Sequence, residues 1–438
     1  MQYTHAVTHR KVWSLAGPMI LANLSTPLLG MVDTAVVGHL SSPVYLGAVA
    51  LGTMLFTFLF WGFGFLRMVT TGLTSQANSN ANQSATRNVL IQSGLLAIII
   101  ATLLLLLQSP IGWLAFQIIE GSPEVLAAAQ QYYHIRILSA PATLLNYAIL
   151  GWLIGMGASR SALVIVLIIN ICNIGFDLLL VNQFGMKADG VALASVMAEY
   201  IGLIFALFIL SRRQLALKQI QLKKELQSFF NNRQGLNLHG NFMLRTLCLI
   251  FCFAFFTNQG AQQGDITLAA NMVLLNFITF MAYVLDGFAN ATEVMTGNAI
   301  GQSDKHRLKR SLVLNGAWSF FVACLFSFVY YFFGNQIINL LTSIDAVSAS
   351  ATDYLFWVIL APVIGVWSYL LDGLFVGATL GREMRNTMLF ATFCCYLPAW
   401  FLLQGFGNHG LWAALIILLA ARSIAQAVYL PGMLRSSD

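Results

Sequence analysis

Charge is scarce in this sequence. Only 9% of its 438 residues are Asp, Glu, Lys or Arg, while 58% are hydrophobic and the mean hydropathy is +0.76. A soluble chain of this length would be about one-quarter charged and would divide into about three domains. The composition therefore reads as an integral membrane protein. A soluble segment large enough for an ATPase or a polymerase is also missing, because apolar runs recur from Val12 to Leu430 with only short polar breaks. Any transport must draw on a source of energy other than ATP hydrolysis within this chain. Cysteine is sparse: Cys172, Cys248, Cys252, Cys324, Cys394 and Cys395 all lie in apolar runs and form no CxxC pair or ligand spacing. They read as buried thiols. No HExxH, Walker loop or GxSxG occurs, so neither an enzyme nor a resident metal or cofactor is expected. The net charge of +6 is not gathered on a soluble module, so nucleic acid is not an expected partner. No small-residue cleavage pattern follows the polar start, so the first helix is expected to be kept.

A helix needs roughly 20 apolar residues to cross the hydrocarbon core. Twelve such helices are expected, over 12–38, 45–77, 88–107, 125–157, 160–183, 189–211, 242–260, 267–299, 309–333, 348–378, 383–404 and 410–434. Lys and Arg precede the first helix (Arg10, Lys11) and follow the even-numbered ones, from Arg87 and Arg160 to Arg382 and Arg435. Loops after odd-numbered helices hold only Lys187. The positive-inside rule then places both termini in the cytoplasm. Residues 212–241, with Lys218, Lys223, Lys224 and Arg233, become a basic connector between a six-helix lobe at 1–211 and another at 242–438.

The halves align at a near-constant shift. Leu46 and Ala48 lie over Leu268 and Ala270 at 222, Ala140 and Pro141 over Ala361 and Pro362 at 221, and "DGVALA" from Asp189 over "HGLWAA" from His409 at 220. A six-helix unit has been duplicated. An even helix count keeps both copies in the same orientation, giving parallel repeats suited to alternating access.

Ionised groups are costly inside a bilayer and usually face a protein interior or a wet cavity. Six acids qualify: Asp33, Asp177, Glu199, Asp286, Glu293 and Asp372. Each is a candidate for function, or alternatively a structural hydrogen-bonding group or an ion-pair partner of Arg67 or Arg136. Asp33 and Asp177 can lie level near the outer ends of the first and fifth helices. Asn170, Asn173 and Asp177 share one helical face by their spacing, as do Ser195 and Glu199. Burial and a neighbouring acid both disfavour a charged carboxylate, so such a cluster is suited to loading and releasing protons. Oxygens of Asp33, Asn173, Asp177 and Ser195 could equally hold sodium. At the shifted positions stand Phe255 and Pro398, so this chemistry is confined to one half. Pro27 lacks the amide hydrogen that would bond the carbonyl of Asn23, and it marks a kink or hinge six residues before Asp33. Asp286 and Asp372 rank second with Glu199, and Glu293, near a helix end, is expected to be solvated or capped.

Taken together, "GPMILANLSTPLLGMVDTAVVGHL", "YLGAVALGT", "NICNIGFD" and "SYLLDGLFVGAT" resemble the multidrug and toxic compound extrusion (MATE) family, and most of all its DNA-damage-inducible F (DinF) branch. The resemblance runs over nearly the whole chain. It implies an all-α integral membrane fold with two six-helix lobes around a central cavity. It also implies an antiporter of a bacterial inner membrane that exports amphipathic, often cationic drugs in exchange for protons or sodium. Under it, Asp33 matches the family's first-helix acid, and Asn173 and Asp177 match its fifth-helix pair. Ser195 stands where related sequences can carry a threonine, and Asp372 stands where another branch binds a cation. The expected partners are small-molecule substrates and membrane lipid, with the chain acting as a monomer. A lipid-linked-precursor flippase is the alternative, although Arg67 and Arg136 are few for a pyrophosphate-binding lumen.

Overall fold

A computed structural model of the protein describes residues 7–38, 42–79, 81–119, 121–213 and 222–435. Among these residues there is no strand, and twelve helical spans are long and apolar enough to cross a membrane. They run His9–Asp33, Pro43–Ser79, Gln83–Leu106, Pro123–Gly155, Ser159–Gln183, Ala188–Arg212, Arg233–Ala261, Asp265–Gly301, Lys305–Leu341, Asp345–Gly377, Gly381–Phe406 and Asn408–Leu434. The protein is thus a multi-pass membrane protein, and each expected helix is present. The seventh span begins well before its expected start, and the segment before it carries a further helix, Leu222–Asn231. Positions 214–221 of the expected connector, Lys218 among them, lie outside the described residues.

Polar residues at the span starts supply what the first free amides need. Ser42 accepts from Val44 N ahead of Pro43, Asn82 Oδ1 accepts from Ala85 N at 3.0 Å, and Asp304 Oδ1 accepts from Arg307 N at 2.9 Å. Several spans are interrupted. The second turns at Phe63 and Gly64, and the fourth tightens to a 3₁₀ turn at Ile137–Ser139 just before Pro141. At the matching position of the tenth span, Pro362 sits inside a continuous helix. There the carbonyl of Ile359, in the turn loosened by the proline, accepts from Ser327 Oγ at 2.7 Å.

The duplication extends to single atoms. A Cβ on Gly151 would collide with the carbonyl of Arg67 and with Thr70, and one on Gly155 with Thr74 and the carbonyl of Thr71. A Cβ on Gly373 would meet Ala289 O and Thr292, and one on Gly377 would meet Glu293 O and Thr296. Every one of these residues stands 222 positions from its counterpart. Small residues let two helix backbones approach closely without a hydrophobic driving force. This crossing joins the second and fourth spans in one half and the eighth and tenth in the other. The turns following those spans repeat as well. Ala81 (φ 53°) matches Ser303 (φ 54°), and Gly157 (φ 73°) matches Thr379 (φ 55°).

The chain folds into two compact units. Leu21–Gly235 forms one, and the described residues through Ile20 together with those from Leu236 onward form the other. The first helix, continuous over His9–Gly38, therefore contributes to both.

Candidate functional site

In the Leu21–Gly235 unit, three spans bring polar side chains together. Asp33 of the first, Asn173 and Asp177 of the fifth and Ser195 of the sixth are all buried. The amide of Asn173 satisfies its neighbours when its nitrogen faces the acids. It then donates to Asp177 Oδ2 at 2.9 Å and to Asp33 Oδ1 at 3.2 Å, and its oxygen accepts from Ser195 Oγ at 2.9 Å and Ser195 N at 3.2 Å. The two carboxyl groups are also within hydrogen-bonding reach of each other. Asp177 Oδ1 is buried and has no hydrogen-bonding partner among the described residues. Asp177 closes the regular helix Ser159–Asp177, and the chain then widens into a π-helical stretch, Leu178–Gln183. Such widened turns recur at functional positions.

Asn170 shares the helical face of Asn173 and Asp177 but does a different job. Its Nδ2 donates to Ser25 Oγ at 2.7 Å, tying the fifth span to the first two residues before Pro27. Backbone helix continues through Pro27. Glu199 stands apart from the acid pair. Its Oε2 accepts from Asn146 Nδ2 at 3.0 Å, and its backbone carbonyl accepts from the same nitrogen at 3.1 Å.

The other unit uses its acids differently. Asp372 Oδ2 accepts from both Arg245 and Arg422, the latter at 2.6 Å, and Oδ1 accepts from Gln426 Nε2 at 2.6 Å. All four residues are buried. Both carboxylate oxygens are engaged, and two guanidinium groups outweigh one acid, so the cluster is positively charged overall and repels a further cation, although Gln426 Oε1 is buried without a hydrogen-bonding partner among the described residues. Asp286 is half-buried within electrostatic reach of Tyr283 and Tyr369. Glu293 departs from expectation: it is 4% exposed, because its turn forms the close helix crossing opposite Gly377. Arg245 and Arg422 were not among the expected site residues, although each is a base within an apolar run and so carries the same signal as a buried acid. Ser25 and Asn146 carried no signal beyond one polar side chain in an apolar run.

The profile of the MatE family matches this chain twice, over residues 18–179 and 242–402, once in each half of the repeat. The DNA damage-inducible protein F of Escherichia coli (strain K12) is 44% identical over 419 residues, covering 95% of this chain and 91% of that protein. A probable multidrug resistance protein NorM of Bacillus cereus is 25% identical over 422 residues, covering 92% and 90%. Among solved structures, the outward-facing conformation of a multidrug resistance MATE family transporter superposes with a TM-score of 0.86 at 18% identity. That match covers 98% of this chain and 96% of the other.

Proposed function

The chain belongs to the MatE family, of membrane transporters and not enzymes, and from that premise we propose that it is a multidrug exporter driven by an ion gradient. In this reading amphipathic, often cationic compounds leave a bacterial cell across its inner membrane as protons enter, by alternating access. Both termini face the cytoplasm, and the chain works as a monomer.

One observation carries the coupling site: two buried carboxyl groups on different helices, bridged by one amide and within hydrogen-bonding reach of each other. Two negative charges so close in a dry setting repel, and a single proton between them removes that cost. Asp33 is the principal proton carrier and Asp177 its partner, with Asn173 and Ser195 fixing their geometry and Asn170 anchoring the fifth span to the first. The same oxygens suit sodium, the alternative coupling ion. Pro27 serves as the hinge, where the first helix bends as Asp33 changes charge. A bound ion shifts such an equilibrium only through its different affinity for the two shapes.

The test is ethidium transport in proteoliposomes with pH and sodium gradients imposed independently. A pH gradient alone should drive uptake or efflux by the natural sequence and not by Asp33→Asn. Transport that needs sodium and ignores pH would reassign the ion, and undiminished transport by Asp33→Asn would remove Asp33 from coupling.

A further inference from the structure

Between the sixth and seventh spans in sequence lies the further helix Leu222–Asn231. Its apolar residues, Leu222, Leu226, Phe229 and Phe230, recur at i, i+4, i+7 and i+8, the spacing of a single apolar stripe. The protein covers only part of that stripe. The helix packs against the third span, and Phe229 is 5% exposed. Phe230 is 64% exposed, and with Leu226 it lines an open groove. Hydrogen bonds fix the depth of the helix end. Asn232 Nδ2 donates to Gln92 Oε1 of the third span at 2.7 Å, while Asn232 Oδ1 accepts from Gly235 N at 3.0 Å in the first turn of the next helix. Gln92 stands five residues beyond Arg87, after which the third span turns apolar at Val89. At roughly 1.5 Å per residue that is about 7.5 Å past the last charge. The helix therefore ends where headgroups give way to hydrocarbon, within the depth of about 5–10 Å to which interfacial helices bury their apolar faces.

Charge around the helix points to the same partner. From Arg212 to Arg233 the sequence holds six bases, Arg212, Arg213, Lys218, Lys223, Lys224 and Arg233, against one acid, Glu225. Arg212, Arg213 and Arg233 are exposed. A basic cluster beside a membrane span or on an amphipathic helix recognises anionic headgroups. We propose that the helix Leu222–Asn231 anchors the connector to anionic phospholipid, with Phe230 set among the acyl chains and the bases of the connector over the headgroups. The aromatic ring supplies insertion, and the bases supply the preference for anionic over zwitterionic lipid. Membrane topology accounts for positive charge in a loop, but it does not require an exposed phenylalanine two residues before the bond to Gln92. The anchor lies outside the acid pair and holds whether protons or sodium drive transport.

The test places a benzophenone-bearing phenylalanine at position 230 of the full chain and, as a control, at the exposed position of Ser228, off the apolar stripe. Each protein is reconstituted into vesicles of phosphatidylcholine mixed with phosphatidylglycerol and irradiated, and its adducts are identified by mass. Position 230 should capture lipid, and position 228 should capture little. At position 230 phosphatidylglycerol should be enriched at least about fivefold over its share of the vesicle, the preference that one base confers at an anionic surface. Lys223→Gln, Lys224→Gln and Arg233→Gln together should return that ratio close to the bulk composition while lipid adducts persist, because the aromatic position still inserts. Adducts from position 230 to another part of this chain would show that protein covers the stripe, and they would overturn the anchor. Lipid captured equally at positions 228 and 230, capture of phosphatidylglycerol only at its bulk share, or an enrichment that survives the loss of the three charges would overturn it as well.

Discussion

Gly155 and Gly377 close the same helix crossing, and Ala81 and Ser303 hold the same left-handed turn, yet buried Asp177 corresponds to Pro398, and buried Asp372 to Leu150. The frame of the two units was kept while their buried chemistry parted. Where two backbones touch, any side chain is an obstruction, so glycine persists in both copies. Nothing in the frame requires a buried charge, so each unit was free to acquire its own. One pairs acid with acid through an amide, and the other locks its acid under two arginines. The first arrangement changes its energy when a proton or cation arrives. The second is already neutralised from within and resists such a change.

The largest effect that would break this contrast is loss of transport. Asp33→Asn and Asp177→Asn should each reduce pH-driven ethidium transport to the background of empty liposomes while leaving a monodisperse, folded protein. Asp286→Asn should retain most of the activity. A second-half variant more damaging per folded molecule would move the coupling site to the other unit.

Next in size is stability. Arg245→Ala or Arg422→Ala leaves Asp372 under-compensated in a dry setting, which should cost about 3–5 kcal/mol in thermal or denaturant unfolding. Asp177→Asn should cost far less, since it removes a repulsion. Equal losses for the two would erase the distinction between a lock and a switch.

The equivalence of the frames is sharpened by Gly151→Val and Gly373→Val. Each drives a branched side chain into a carbonyl of the facing helix, so each should destabilise by about 1–3 kcal/mol and by similar amounts. A cost in one half alone would mean that only that crossing bears on stability. The smallest expected effect is Thr379→Gly. It relieves a left-handed residue at φ 55° where the first half already has Gly157, and should raise stability by no more than about 1 kcal/mol. Lowered stability would show that the threonine side chain outweighs the strain.

Much of this contrast is legible in the amino-acid sequence. Hydropathy gives all twelve spans because in lipid only closed backbone hydrogen bonding survives, and the shift near 222 gives the duplication. The spacing of Asn173 and Asp177 places them together, since three- and four-residue steps share a helical face. What the chain does not announce is contact between distant spans. That Asn170 would reach Ser25 instead of the acids, or that Arg245 and Arg422 would converge on Asp372 from the seventh and twelfth spans, depends on helix rotation, which periodicity leaves free in spans apolar on every side. The seventh span starts earlier than expected for a related reason: residues 233–241 are polar enough to read as loop, yet they continue the helix.

The shared first helix has a consequence for how the protein is made. Ile20 and Ala16 lie against Gly287, and Trp13 meets Phe288 and Trp318 edge-on, with ring centroids 5.4 and 5.3 Å apart. The ribosome delivers residues 9–20 first and their partners on the eighth and ninth spans roughly 270 residues later. At about 5–20 residues per second, that is a wait on the order of tens of seconds, during which this segment lacks these partners. The second half of the gene does not encode the whole of its unit, and a fragment starting at Leu236 would lack the surface that the earliest residues provide.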